Sequence, residues 1–135
     1  MKLVAGLGFR AGCEAASLRS ALQAALDAAS TAHGQPITLA HLSALATAAD
    51  KSHHPALLHL AAKLQVSIHP IPLPAMANQP AAPSAHVPKR YGSQSVAEAA
   101  ALAAAGLGAT LLGRRSLSPD RMATAALAFT ENTPP

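Results

Sequence analysis

A chain of 135 residues suits one domain and is long enough to bury a core without staples. Half of the residues are apolar, yet only 2% are aromatic and Trp is absent, so the core is aliphatic and rich in Ala. The net charge of +4 is thinly spread, with Lys89-Arg90 and Arg114-Arg115 as the longest basic runs, which argues against a nucleic-acid surface.

The single cysteine, Cys13, excludes an internal disulfide and a cysteine-based zinc site. The N-terminus lacks the long apolar region of a secretory signal, and no apolar run reaches the length of a membrane span. The expectation is a cytoplasmic protein with no membrane or nucleic-acid partner. A small polyanionic ligand suits the modest positive excess, as does a plain basic surface.

Leu3-Val4-Ala5 reads as a short strand. Gly6, Gly8 and Gly12 then read as a loop that opens a long helix, with Arg10 inside it. Such a turn aims backbone N–H groups and the positive end of a helix dipole at one point, so an anion is the expected ligand. The spacing is G-x-G-x-x-x-G, one residue off the dinucleotide fingerprint, and the acidic residue expected about 20 residues on would be Asp27, inside the helix. No Walker pattern follows. A tight strand-to-helix turn without a ligand is the plain alternative.

Glu14 to about Ala32 carries Leu18, Leu22, Ala25 and Leu26 on one helical face, and Gly34 suits a left-handed cap. Thr38 opens a short turn within Ile37 to Leu42. Ser43 to Ala49 is a candidate second strand, and Asp50 to His54 a polar loop at its end. Ser52 or His53 caps the next helix, Ala56 to Leu64, with Pro55 in its first turn. Val66 to His69 is a third strand.

Six prolines lie between Pro70 and Pro88. The stretch from about 70 to 92 is therefore expected to be a long loop, either a lid or a plain connection. Ser95 and Glu98 form a capping box for a helix ending near Ala105, with Gly106 closing it. Gly92, Ser93 and Ser95 supply further N–H and hydroxyl donors ahead of that helix. Ala109 to Leu112 and Met122 to Phe129 read as the fourth and fifth strands, joined by a turn over Arg114 to Asp120.

Alternating strands and helices imply one α/β domain over residues 1–135. Its sheet is mostly parallel, of about five strands, with helices on both faces. The last strand follows its neighbour through a loop, which leaves it free to run antiparallel. Ligands of such sheets bind beyond the carboxyl ends of the strands. That edge gathers the Gly6–Gly12 loop, the Asp50–His54 loop and the Gly113 to Ser116 region.

Other chemistry is thinly supported. His53, His54 and His59 lack the spacing of a metal site, so no metal and no cofactor is expected. Cys13 beside Arg10 and a helix N-terminus has the setting of an activated thiol, but no His and Asn arrangement accompanies it, so a packing role stands beside that reading. Lys51, at the end of a strand, is placed to meet a ligand carboxylate or simply to face solvent. Glu98 suits a structural role better than a catalytic one.

Three blocks carry a family resemblance: GLGFRAGCEAASL at the start, TAADKSHHPALLHLAAKL from Thr47 to Leu64, and GSQSVAEAAALAAAG from Gly92 to Gly106 followed by ATAALA. Thr47, Lys51 and Leu57 match the family pattern in the second block. The chain resembles the CobE and CbiG C-terminal domain family of cobalamin biosynthesis. The resemblance implies a protein of the corrin-ring pathway that meets a precorrin or corrinoid intermediate beside other pathway enzymes. CbiG opens a precorrin δ-lactone, but this chain corresponds only to its C-terminal part. The resemblance also implies that His54 stands where related sequences often carry an acidic residue, so a Glu general base is absent there.

Corrin precursors are apolar rings bearing many carboxylates, and a site for one needs Arg, Lys, Ser and N–H donors around an apolar wall. Gly6, Gly8, Arg10, Gly12, Lys51, His54, Gly92, Ser93, Ser95 and Glu98 are the candidate binding residues. Three functions follow from different classes: a carrier of a corrin intermediate, an enzyme acting on a precorrin, and a nucleotide- or phosphate-binding module. The off-register glycines disfavour the last.

Overall fold

The computed structural model describes residues 2–72, 74–75 and 96–130. In chain order its elements are β1 (Lys2–Phe9), α1 (Ala15–His33), β2 (Ala44–Ala48), α2 (Pro55–Leu64), β3 (Ser67–Ile71), α3 (Val96–Ala105), β4 (Thr110–Leu111), β5 (Ser116–Leu117) and β6 (Ala123–Thr130). Single 3-10 turns occupy Leu39–His41 and Ala49–Lys51. Most of the Pro-rich stretch, the Gly92–Ser95 donors and the Ser95 cap lie outside the described residues.

The sheet order is β3-β2-β1-β6-β4, with β5 also paired to β6. The β1–β2 and β2–β3 pairs are parallel, and β6 is antiparallel to β1, β4 and β5. By direction, β6 alone runs against the other described strands, as the loop connection allowed. The register against β6 slips by two residues between the Leu111–Ala128 and Ser116–Ala125 pairs. β4 and β5 are thus one strand broken by a bulge at Gly113–Arg115. Gly113 needs its φ of 75° there, and it presses against the backbone of Ala28 and Ala29 on α1.

Strand alternation sorts β1 into two faces. Leu3, Ala5, Leu7 and Phe9 join Leu45, Leu57, Leu127 and the buried side of α1 in one cluster. Val4, Ala46, Ala48 and Ala128 join the alanines of α3 in the other. Helices therefore cover both faces. Gly34 takes the expected left-handed cap, φ 78°, with its N–H on the Ser30 carbonyl.

The opening glycines correct the sequence reading. Gly6 and Gly8 are not in a loop; they lie inside β1, on the face that meets α3. A Cβ on Gly6 would stand 1.9 Å from the Ala97 carbonyl oxygen and 2.9 Å from the Ala101 Cβ. The glycine serves close helix-on-sheet approach, which an alanine-rich helix requires to gain dispersion contacts from so little side chain. Only Gly12 of the three belongs to the connection between β1 and α1, and its φ is not in the left-handed region.

Candidate functional site

The carboxyl ends of β1 and β2, the end of β5 and the start of β6 share one edge of the sheet. The N-termini of α1 and α2 follow β1 and β2 there. The first turn of α3 arrives at the same edge, because Val96 and Ala97 lie over Gly8 while Lys2 reaches the Ala104 carbonyl at the far end, 3.1 Å away. The edge thus collects positive helix ends with the residues of three loops.

Arg10 follows the last residue of β1 and is exposed. Its backbone N–H donates to the Met122 carbonyl at 2.9 Å, extending the β1–β6 ladder by one residue. Among the described residues its guanidinium has neither a hydrogen-bond nor an ion-pair partner. The Cys13 N–H donates to the Arg10 carbonyl at 3.0 Å and closes the turn into α1. Glu14 is the N-cap of α1 and makes no side-chain capping bond.

Lys51 reaches this edge from the 3-10 turn after β2. Its ammonium donates to the Phe9 carbonyl and stands 5.4 Å from the Phe9 ring centre. The side chain is half-buried. It fastens the end of β1 to the end of β2 and brings a positive charge beside Arg10.

His54, not Ser52 or His53, caps α2. Its Nδ1 accepts from the Ala56 N–H at 3.1 Å, while the Ser52 hydroxyl turns back to the Ala49 carbonyl. Nδ1 as acceptor leaves Nε2 to carry the hydrogen, which it donates to the Ala11 carbonyl at 2.7 Å. The ring also packs edge-on to Phe9, 5.0 Å between centroids. His54 is therefore a clamp between α2 and the Arg10–Glu14 loop. His53 has its Nδ1 3.3 Å from the Ser52 hydroxyl. Among the described residues no three His, Cys, Asp or Glu side chains are placed to hold a metal ion.

Of the two readings of Cys13, the structure supports the packing one. Burial, and then the Asp120 charge, push its thiol above the ordinary value. The group packs in the core and donates to the Glu14 carbonyl at 3.3 Å.

Glu98 is buried in the first turn of α3 and pairs with Arg115 of the bulge at 3.2 Å. The pairing ties α3 to the β4–β5 strand. The bulge lies along β6 rather than at its end, so Gly113 does not join the edge as expected. The turn that does join it is Ser118 to Met122.

Asp120 organises that turn and was not singled out in the sequence. It accepts from the Ser118 hydroxyl at 2.6 Å, from the Met122 N–H at 3.1 Å and from the Ser17 hydroxyl of α1. Donation from Ser118, then Ser17, then Met122 holds its carboxyl below the usual range. A carboxyl depressed in the folded state adds stability above its ordinary range near pH 4, and that stability is lost as pH falls through the folded value. Asp120→Asn is therefore less stable than the parent at neutral pH, and the gap closes below about pH 4. Urea melts of both proteins across pH check this; a gap that persists in acid contradicts it.

The fold is a small mixed α/β domain with donors gathered at its carboxyl edge, and the comparisons say to which family such a domain belongs here. The family model described as cobalamin synthesis G C-terminus matches residues 3–128. A crystal structure of CobE, a protein from the cobalamin (vitamin B12) biosynthetic pathway, is 38% identical over 98% of this chain and 93% of that chain, with a TM-score of 0.78. The cobalamin biosynthesis protein chiG from Agrobacterium tumefaciens str. C58 is 35% identical over 96% of this chain and 99% of that one, TM-score 0.64. A putative cobalamin biosynthesis protein G homolog from Sulfolobus solfataricus shares the fold, at 18% identity over 95% of this chain and 36% of that chain, with a TM-score of 0.68. No curated protein matches the chain. The chain belongs to the cobalamin synthesis G C-terminal family and is, by that membership, a cobalamin biosynthesis protein.

Proposed function

We propose that the protein binds a polycarboxylate precorrin or corrinoid intermediate at the carboxyl edge of its sheet and carries it between pathway enzymes in the cytoplasm. The observation that supports this most is the meeting of Arg10, Lys51 and the α1 N-terminus at one edge of the sheet, with Lys51 bonded to the Phe9 carbonyl next to Arg10. Charged donors of this kind recognise carboxylates strongly when partly desolvated. No helix among the described residues is long and apolar enough to cross a membrane.

Binding is favoured over chemistry because the obvious base is engaged. One nitrogen of His54 caps α2 and the other holds the Ala11 carbonyl, so the ring has no lone pair left for a substrate proton.

The test is an absorption titration with two probes: cobalamin, whose ring side chains are amides, and the acid obtained by hydrolysing those amides. The acid is expected to bind at least about tenfold more tightly, a difference of roughly 1.4 kcal/mol, and to lose affinity as salt rises. An unchanged chromophore supports a carrier; a new chromophore or a released product supports an enzyme instead. Equal affinity for acid and amide would contradict charge recognition at this edge.

A further inference from the structure

The turn between β5 and β6 contains a residue that its backbone does not favour. The Arg121 N–H donates to the Ser118 carbonyl at 2.9 Å, and Arg121 then adopts a φ of 61°. A turn of this form, followed by a left-handed residue where the hairpin ladder resumes, is the position that glycine fills most easily. The other non-glycine residue with positive φ among those described is Gln65, whose conformation is explained by the C-cap of α2. Arg121 has no such helix end to serve.

Its side chain does no structural work among the described residues either. Arg121 is exposed and forms no ion pair there. The adjacent carboxylate, Asp120, is already held by Ser17, Ser118 and the Met122 N–H. The Ser118 and Met122 bonds hold the turn together, and the Ser17 bond fixes it against α1. The next residue, Met122, accepts the Arg10 N–H, so the two arginines lie on neighbouring backbone segments at the same edge. Strain at a rigidly held, exposed, charged residue is the pattern of a functional position.

We infer that Arg121 is a second guanidinium for the anionic ligand, acting with Arg10 as a pair that spans the ends of β1 and β6 and takes separate carboxylates of one polycarboxylate. This rests on the reading of the edge as a polycarboxylate site. It places the ligand toward β6 as well as toward Lys51 on the β2 side, so a broad ligand with several acid groups is favoured over a single phosphate.

The test uses Arg121→Gly, which removes the charge and relieves the backbone, beside Arg121→Lys, with the hydrolysed corrinoid acid as probe. Arg121→Gly is expected to melt at the same or a higher temperature than the parent yet bind the acid about tenfold more weakly, and Arg121→Lys to recover part of the loss. Full affinity in Arg121→Gly, with binding by the parent intact, would overturn the role of Arg121 and leave the proposed function standing. A lowered melting temperature in Arg121→Gly would overturn it too, by showing that the side chain is structural. Absence of binding by the parent protein would overturn both readings.

Discussion

Replacing Gly6 by alanine is expected to cost more than about 3 kcal/mol and to leave little folded protein, because the added methyl has no space and its neighbours cannot yield. The new Cβ would sit 1.9 Å from the Ala97 carbonyl oxygen and 2.7 Å from the Ala101 nitrogen, both backbone atoms of α3. A flexible side chain would swing aside; helix backbone cannot. Relief requires lifting α3 off the sheet, which opens the layer formed by Val4, Ala46, Ala48, Ile71 and Ala128. Alanines gain their packing energy through short-range contacts, and a gap of even one ångström forfeits much of it.

Gly8→Ala is the matched control. Its Cβ would lie 3.4 Å from the Val96 Cβ and 3.6 Å from the Ala97 nitrogen, within ordinary contact. It is expected to change stability by less than about 1 kcal/mol, helped by the lower entropy of its unfolded chain. Denaturant melts of the pair check the account. Similar stabilities in the two variants would show that α3 does not rest on β1 as described.

The architecture was largely legible in the sequence because periodicity carries it. The 3.6-residue spacing of Leu18, Leu22, Ala25 and Leu26 gives α1 and its buried face, and these four residues are all fully buried. The loop before the last strand allowed the antiparallel β6. The glycines were misread because glycine in a strand and glycine in a turn look alike when only one sequence is in hand. The signal that separates them lies far along the chain: an alanine-rich helix needs a floor of small residues, and Gly6, Gly8, Ala46, Ala48 and Ala128 supply it. β5 escaped notice because two residues, Ser116 and Leu117, carry no period.

The site was legible in part. Arg10 and Lys51 were placed at the carboxyl edge by the order of elements alone. The long-range partners were not legible. Ser17 and Asp120 meet across more than a hundred residues of chain, and Arg115 finds Glu98 only because the bulge interrupts the β4–β5 strand. His54 stands among the ligand candidates, and the structure also makes it a cap and clamp; a histidine at this position presents the same pattern in either role. Lys51 also does more than expected, since its bond to the Phe9 carbonyl makes it part of the scaffold. Lys51→Ala would therefore disturb the edge as well as its charge, and cannot isolate ligand binding.

Arg10 isolates it. Its guanidinium has no hydrogen-bond or ion-pair partner among the described residues, so Arg10→Glu should shift stability by no more than about 0.5 kcal/mol. A charge-assisted hydrogen bond to a carboxylate contributes roughly 1.5–3 kcal/mol, and reversal adds repulsion where attraction stood. Arg10→Glu is accordingly expected to weaken binding of the hydrolysed corrinoid acid on the order of a hundredfold at low salt, with a smaller deficit at high salt. Affinity for the amide-bearing cobalamin should scarcely change. The central claim is that this edge reads the carboxylates of a corrin precursor, and the titration of Arg10→Glu against the parent tests it most directly. A hundredfold loss confined to the acid is the predicted result; equal affinity of the two proteins for the acid would contradict it.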